Sequence, residues 1–220
     1  MQGRGAGAFA WLLLFAAAFP LRGEIVDRIA VSVGNRVITA SDIDREIRVT
    51  AFLDGRAPDF SPAGKRATAG RLVEQQLIQR ELETSRYTIP SAAEMEPAFE
   101  KFKRERFPNQ ADYERALAAA GLSSQDVKDE LLWARRLTWF VNARFRLGVQ
   151  VTEEEIRDYF EKAVKPAAEA AHPRDPVTLD EYRDKIEETL AGPRVDREVD
   201  AWLTEARKRT EIVYHVEAFQ

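Results

Sequence analysis

The sequence predicts a mostly α-helical fold, with a helical core completed by a small antiparallel β pairing of its N-terminal and C-terminal strands. Apolar and polar residues alternate over residues 25–33 and 211–217, as in half-buried strands. Between these ends, Ser or Thr followed three residues later by an acid marks helix starts. These capping boxes are Ser91–Glu94, Ser123–Asp126, Thr152–Glu155 and Thr178–Glu181. Because an isolated strand leaves its backbone groups unpaired, we expect the two ends to pair.

Residues 1–23 are typical of a secretory signal peptide. Arg4 supplies a positive charge, residues 6–19 are almost all apolar, and Pro20 with small residues leads to Gly23. This apolar run is shorter than the roughly 20 residues that a membrane-spanning helix needs. The sequence therefore predicts export to the periplasm, cleavage near Gly23 and no integral membrane span afterwards. Retention of the segment as an uncleaved anchor is the alternative.

The remaining elements follow in order along the chain. A Gly-Asn turn after the first strand leads to a short return strand, and Thr39 caps a helix that ends near Gly55. A second, long helix is predicted over residues 63–86, with a break at Pro90. Further helices are predicted over residues 91–107, 110–120, 124–147, 152–164, 178–191 and 193–209.

Residues 165–177 divide the chain into two parts. Three prolines and the absence of apolar periodicity predict a linker here. Residues 24–164 then form the main helical lobe, and residues 178–220 supply helices and a strand that complete it. The helix over residues 124–147 is apolar on most of its sides, so we interpret it as the central helix of the main lobe.

Composition narrows the classes of function. The chain contains no cysteine, which excludes a disulfide framework and any thiolate metal site. Residues 1–23 hold two of the 33 basic residues and no acid, so the processed chain carries 31 basic and 37 acidic residues, a net charge of −6. Because nucleic-acid binding requires a basic face, this charge argues against nucleic acid as a partner.

The sequence predicts no catalytic residue, no cofactor and no metal site. His172 and His215 stand alone, one in the proline-rich segment and one in the terminal strand. The acids at 153–155 fall in the first turn of a helix, where they complement the helix dipole. The processed chain also has no Gly-x-Ser-x-Gly elbow and no Gly-rich phosphate loop.

Aromatic side chains on the helices are the remaining candidates for function. Rings offer a large contact area with few rotatable bonds, which suits broad recognition of apolar, extended segments. Ordinary core packing is the alternative for each of them. The candidate client-binding residues are Phe99, Phe102, Trp133, Trp139, Phe140, Tyr159 and Phe160.

Several segments resemble SurA-type periplasmic chaperones. Residues 25–42, Ile-Val-Asp-Arg-Ile-Ala-Val-Ser-Val-Gly-Asn-Arg-Val-Ile-Thr-Ala-Ser-Asp, resemble the start of the mature family sequence. Residues 73–78 look like its second-helix signature, residues 151–160 like the helix before its isomerase domain, and the stretch to residue 217 like its closing helix and strand. The resemblance implies an ATP-independent periplasmic holdase, a chaperone that binds unfolded outer-membrane or secreted polypeptides without chemistry.

The chain also departs from that family. Its members carry one or two parvulin-type prolyl isomerase domains between the two parts of the chaperone core, and here only residues 165–177 occupy that place. The resemblance therefore implies the holding role and not the isomerase activity. Two alternatives stay open: a dedicated periplasmic adaptor or structural protein, and a divergent peptidyl-prolyl cis-trans isomerase.

Overall fold

The computed structural model describes residues 27–84, 88–171 and 177–219. The predicted signal peptide and His172 lie outside these residues. The described part is mostly helical with one small sheet, so the predicted fold class is confirmed.

The sheet joins the two ends of the chain, as the sequence predicts. Strand β1 (Ile29–Val33) lies between β2 (Arg36–Thr39) and β3 (Ile212–Tyr214), and both pairings are antiparallel. Just past β3, the His215 N–H donates a hydrogen bond of 2.9 Å to the Ala30 carbonyl. The closing strand is thus held by main-chain hydrogen bonds to the first one.

The helices begin at the predicted caps in most places. Thr39, Ser123 and Thr152 each accept a hydrogen bond from the backbone N–H three residues on, and each capping box is complete. Thr178 makes no side-chain cap, so the fourth predicted box does not form. The helices are α1 (Ala40–Asp54), α2 (Pro62–Thr84), α3 (Glu96–Arg106), α4 (Gln110–Ala120), α5 (Ser124–Arg144), α6 (Glu153–Tyr159), α7 (Lys165–Ala171) and α8 (Leu179–Lys208).

Helix α8 runs through the break that the sequence predicts at Pro193. A proline in a helix interior has no N–H to donate to the carbonyl four residues earlier, which is why two helices were expected. Packing on both sides of the proline outweighs this loss. Before the proline, Ile186 packs with Ile156 and Phe160 in what we call the C-terminal cluster. After it, Val195 packs with Phe140 in the central cluster, between α2, α5 and α8.

The predicted linker is helical over its first half. Helix α6 continues through a π-helical turn, Phe160–Val164, directly into α7. The N–H of Lys165 donates to the carbonyl of Phe160, five residues back, and Pro166 follows within α7. The wider π turn carries the helix up to the proline, so the proline does not end it.

Helix α5 stops earlier than predicted, at Arg144. A short 3-10 turn follows, and Leu147 in it is 86% exposed. Only Val127 and Phe140 of α5 are fully buried, so this helix is central but not enclosed on all sides. Within the described residues, no helix is both long and apolar enough to cross a membrane.

Candidate functional site

Three of the seven predicted client-binding residues lie inside the protein. Phe99, Phe140 and Phe160 expose 3%, 1% and 4% of their surface, and each packs in a different hydrophobic cluster. The rings hold neighbouring helices together. In this conformation they offer no surface to a client, so they are excluded from the candidate site.

Two further candidates are half-buried supports of those clusters. Phe102 lies 6.3 Å from Phe52 and 6.1 Å from Phe107, measured between ring centroids. Trp139 packs against the central cluster. The last two candidates, Trp133 and Tyr159, each line a groove at the surface.

The groove beside Tyr159 has a mostly apolar lining. It has a volume of about 410 Å³ and runs between the π turn with α7 on one side and the first half of α8 on the other. We call it the alanine groove. It is lined by Tyr159, Ala163, Val164, Ala167, Ala168, Ala171, Tyr182, Lys185, Ile186 and Thr189.

Small side chains make the alanine groove concave. Ala163, Ala167 and Ala171 are four residues apart, so they lie on one side of the helical segment and present only methyl groups. Tyr159 and Tyr182 are the two aromatic residues in the lining of the groove. A floor of methyl groups between aromatic rings accepts apolar side chains of varied shape, which is the chemistry of broad recognition.

The charges around the alanine groove are mostly paired along their own helix. Lys162 lies 2.6 Å from Asp158, and Lys165 lies 3.0 Å from Glu161. The hydrogen bond to Glu161 raises the pKa of Lys165. Lys185 is the one cation in the lining of the groove. It has no ion-pair partner within the described residues, so its ammonium group can bind a ligand. The groove therefore combines an apolar floor with a charged rim.

A second groove lies beside Trp133, between α2 and α5, with a volume of about 300 Å³. Leu82, Ile89 and Leu132 supply its apolar part, while Glu83, Asp129 and Arg136 supply charged groups. Arg136 is anchored there, because its Nε donates a hydrogen bond of 3.0 Å to the Pro90 carbonyl. This mixed lining suits apolar segments less well than the alanine groove does.

No family model and no curated protein matches this chain. The resemblance to SurA-type chaperones therefore stays a prediction. Among the described residues, no group of His, Asp and Glu side chains could hold a metal ion.

Two acidic residues, Glu46 in α1 and Glu130 in α5, have raised pKa values. Burial raises the pKa of Glu130 to about 7, and the nearby Glu46 and Asp54 add to the effect while Arg71 opposes it. Burial also raises the pKa of Glu46, against hydrogen bonding from Thr50. When two neighbouring carboxyl groups are shielded from water, burial and mutual repulsion both oppose their ionisation. Their effect is on stability, since neither lines the grooves described above.

Sequence reasoning missed most of the alanine groove. It selected large rings, and it interpreted 165–177 as a linker because of the three prolines. The alanine spacing at 163, 167 and 171 was the available signal for a helix with a smooth face. The partner surface on α8 had no local signal, because it depends on how the two helices pack.

Proposed function

We propose that this protein is an ATP-independent holdase that binds unfolded polypeptides through the alanine groove. The observation that carries the proposal is the groove itself: an open, methyl-lined surface between two tyrosines, in a chain with no motif for catalysis. Clients bind through exposed apolar segments and leave when they fold or insert. Many weak contacts over such a surface suit promiscuous and reversible binding.

The position of the groove supports the proposal. One hydrophobic cluster lies under the sheet and the central one lies between α2, α5 and α8. The alanine groove lies instead on the cluster of Ile156, Phe160 and Ile186, at the first half of α8. A ligand can thus occupy it without opening the main core. The export signal predicted for residues 1–23 would place this surface in the periplasm, where unfolded outer-membrane polypeptides are the corresponding clients.

Suppression of aggregation tests the proposal. An unfolded β-barrel membrane protein is diluted from urea, and light scattering is followed with and without the protein. We expect suppression near a one-to-one ratio for the natural sequence. Ala167→Glu places a charge on the groove floor and should abolish most of the suppression, because the carboxylate keeps its hydration.

The matched control is Ala119→Glu, an exposed alanine of α4 outside the groove, which should leave suppression unchanged. Absence of suppression by the natural sequence would contradict the holding role. Equal suppression by both variants would retain the role and move it to another surface. Capture of a single stoichiometric partner from a periplasmic extract, with no suppression, would favour the adaptor.

A further inference from the structure

A third concave site lies at the second half of α8, against the C-terminal end of α2. It has a volume of about 230 Å³, and we call it the arginine cavity. Three arginines line it, Arg80, Arg144 and Arg209, together with Trp202. Glu81 is the one acidic residue in its lining. The lining therefore carries a net charge of +2, on a protein whose net charge is −4.

Two of these arginines, Arg80 and Arg209, form no ion pair among the described residues. Arg144 is paired with Glu81 at 2.7 Å and lies 5.6 Å from the centroid of Trp202. The side chain of Arg209 donates to the backbone carbonyl of Glu205 at 3.2 Å. The pKa of the Glu205 carboxyl is lowered mainly by Lys208 and in part by the charge of Arg209. Arg80 forms no ion pair among the described residues. A guanidinium group presents several donors in a planar fork that matches a carboxylate.

The shape of the cavity limits the ligand. Leu77, Trp202 and Ala206 give it an apolar wall beside the cationic groups. Its volume is smaller than the roughly 300–1,000 Å³ of sites that enclose whole small molecules. A ligand that fits is either a small anion or the end of a larger molecule that carries an anionic group next to an apolar one.

We propose that the arginine cavity binds the C-terminal carboxylate of a polypeptide, with the last apolar side chain against Trp202. This inference rests on the proposed function for its source of carboxylate. The chain terminus is the one anionic group that every unfolded polypeptide carries, whatever its sequence. A site that recognises it would orient a client whose apolar segments occupy the alanine groove.

Calorimetric titration with short peptides tests the proposal. The probes are N-acetyl-Ala-Ala-Phe with a free carboxylate and the same peptide with a C-terminal amide. We expect the amide to bind at least about tenfold more weakly, because it removes charge-assisted hydrogen bonds. Arg80→Gln and Arg209→Gln should each weaken binding of the free acid by about tenfold and leave the amide unaffected.

Arg66→Gln is the matched control. Arg66 is exposed, belongs to the same helix and has no ion pair among the described residues, but lies about 21 Å along α2 from Arg80. It should bind the free acid as the natural sequence does. Equal binding of acid and amide would overturn the proposal. Inorganic phosphate that competes as tightly as the peptide binds would also overturn it, since the cavity would then accept any anion.

The result is separable from the holding role. If Arg80→Gln still suppresses client aggregation and the free acid does not bind the natural sequence, the carboxylate site fails and the holdase stands. If the free acid binds with the expected arginine dependence but aggregation is not suppressed, the holdase fails and the cavity binds chain termini for another purpose. Circular dichroism melting curves confirm that each variant is folded.

Discussion

Arg194 donates hydrogen bonds to both carboxylate oxygens of Glu155, which joins the residue after Pro193 to the first turn of α6. The same guanidinium donates to the Gln150 carbonyl at 2.5 Å. The bond from Arg194, with those from Thr152, lowers the pKa of Glu155 to about 2. This contact joins α6 to α8 at the point where the proline weakens α8.

Removing that contact should loosen the helices of the alanine groove. We expect Glu155→Gln to increase hydrogen–deuterium exchange in α6 and in α8 before Pro193, with little change in the sheet. Glu154 lies in the same turn and has no ion pair among the described residues, so Glu154→Gln is the control. Unchanged exchange in Glu155→Gln would mean that packing alone holds the two elements.

The pair of Arg194 and Glu155 should keep α6 in place at mildly acidic pH. Because the folded-state pKa of Glu155 lies below the ordinary value of 4.5, its contribution is present above pH 4.5 and is lost as the pH falls through about 2. Exchange in α6 should therefore stay constant from pH 7 to about pH 5, after correction for the intrinsic exchange rate, and should increase as the pH falls below about 4.5. An increase already between pH 6 and 5 would contradict the assignment.

Glu130 has the opposite dependence. Its pKa of about 7 in the folded state is above the ordinary value of 4.5, so the fold favours the protonated form. The free energy of unfolding should fall as the pH rises from about 4.5 to 7. We expect Glu130→Gln to reduce this slope, leaving the smaller part that comes from Glu46, and to raise the free energy of unfolding at pH 8 by about 1–2 kcal/mol, since a half-buried carboxylate keeps part of its hydration.

Urea unfolding at pH 5 and pH 8 measures this effect. The neighbouring Asp129 accepts a hydrogen bond from Gln125 at 2.7 Å on the exposed side of α5, so Asp129→Asn is the matched control and should keep the slope. Loss of stability in Glu130→Gln at pH 8 would show that the charged form is favoured in the fold.

Phe140 is one of the predicted client-binding residues that the structure places in the core. Its ring contacts Phe145 at 5.6 Å and Trp202 at 5.3 Å between centroids, and it is 1% exposed. We expect Phe140→Ala to lower the free energy of unfolding by about 3–5 kcal/mol. Phe60→Ala, at a residue 39% exposed, should cost less than about 1 kcal/mol. A small loss for Phe140→Ala would return this ring to the candidate binding surface.

Pro193→Ala should stabilise the protein. The substitution supplies the missing N–H for the Thr189 carbonyl in the middle of α8, which a proline denies. We expect a gain of about 2 kcal/mol in the free energy of unfolding, after the loss of the proline's restriction on the unfolded chain. A destabilised variant, measured by urea unfolding, would show that the helix is bent at Pro193 to fit its neighbours.

The sequence predicts those features that depend on local chemistry. Caps at Thr39, Ser123 and Thr152 form because Ser and Thr hydroxyls satisfy free N–H groups wherever a helix starts. The pairing of β1 with β3 was predictable because strands cannot stay unpaired. Pro166 and Pro193 misled the prediction, since tertiary packing and a π turn keep the chain helical past both.

The functional surfaces depend on contacts between distant segments. Tyr182 meets the π turn only because α8 folds back, and its ring lies 6.5 Å from that of Phe160. Arg80 and Arg209 are 129 residues apart in the sequence but line one cavity. Sequence periodicity describes one helix at a time, so neither juxtaposition had a local signal.

Site-specific cross-linking tests the central claim most directly. The chain has no cysteine, so Ala167→Cys carries a single thiol on the floor of the alanine groove, and Ala119→Cys carries one elsewhere. Each is labelled with benzophenone-maleimide and irradiated with an unfolded β-barrel client. The account predicts a cross-linked product from position 167 that a folded client does not give, and little from position 119. Equal products from both positions, or none from 167, would contradict it.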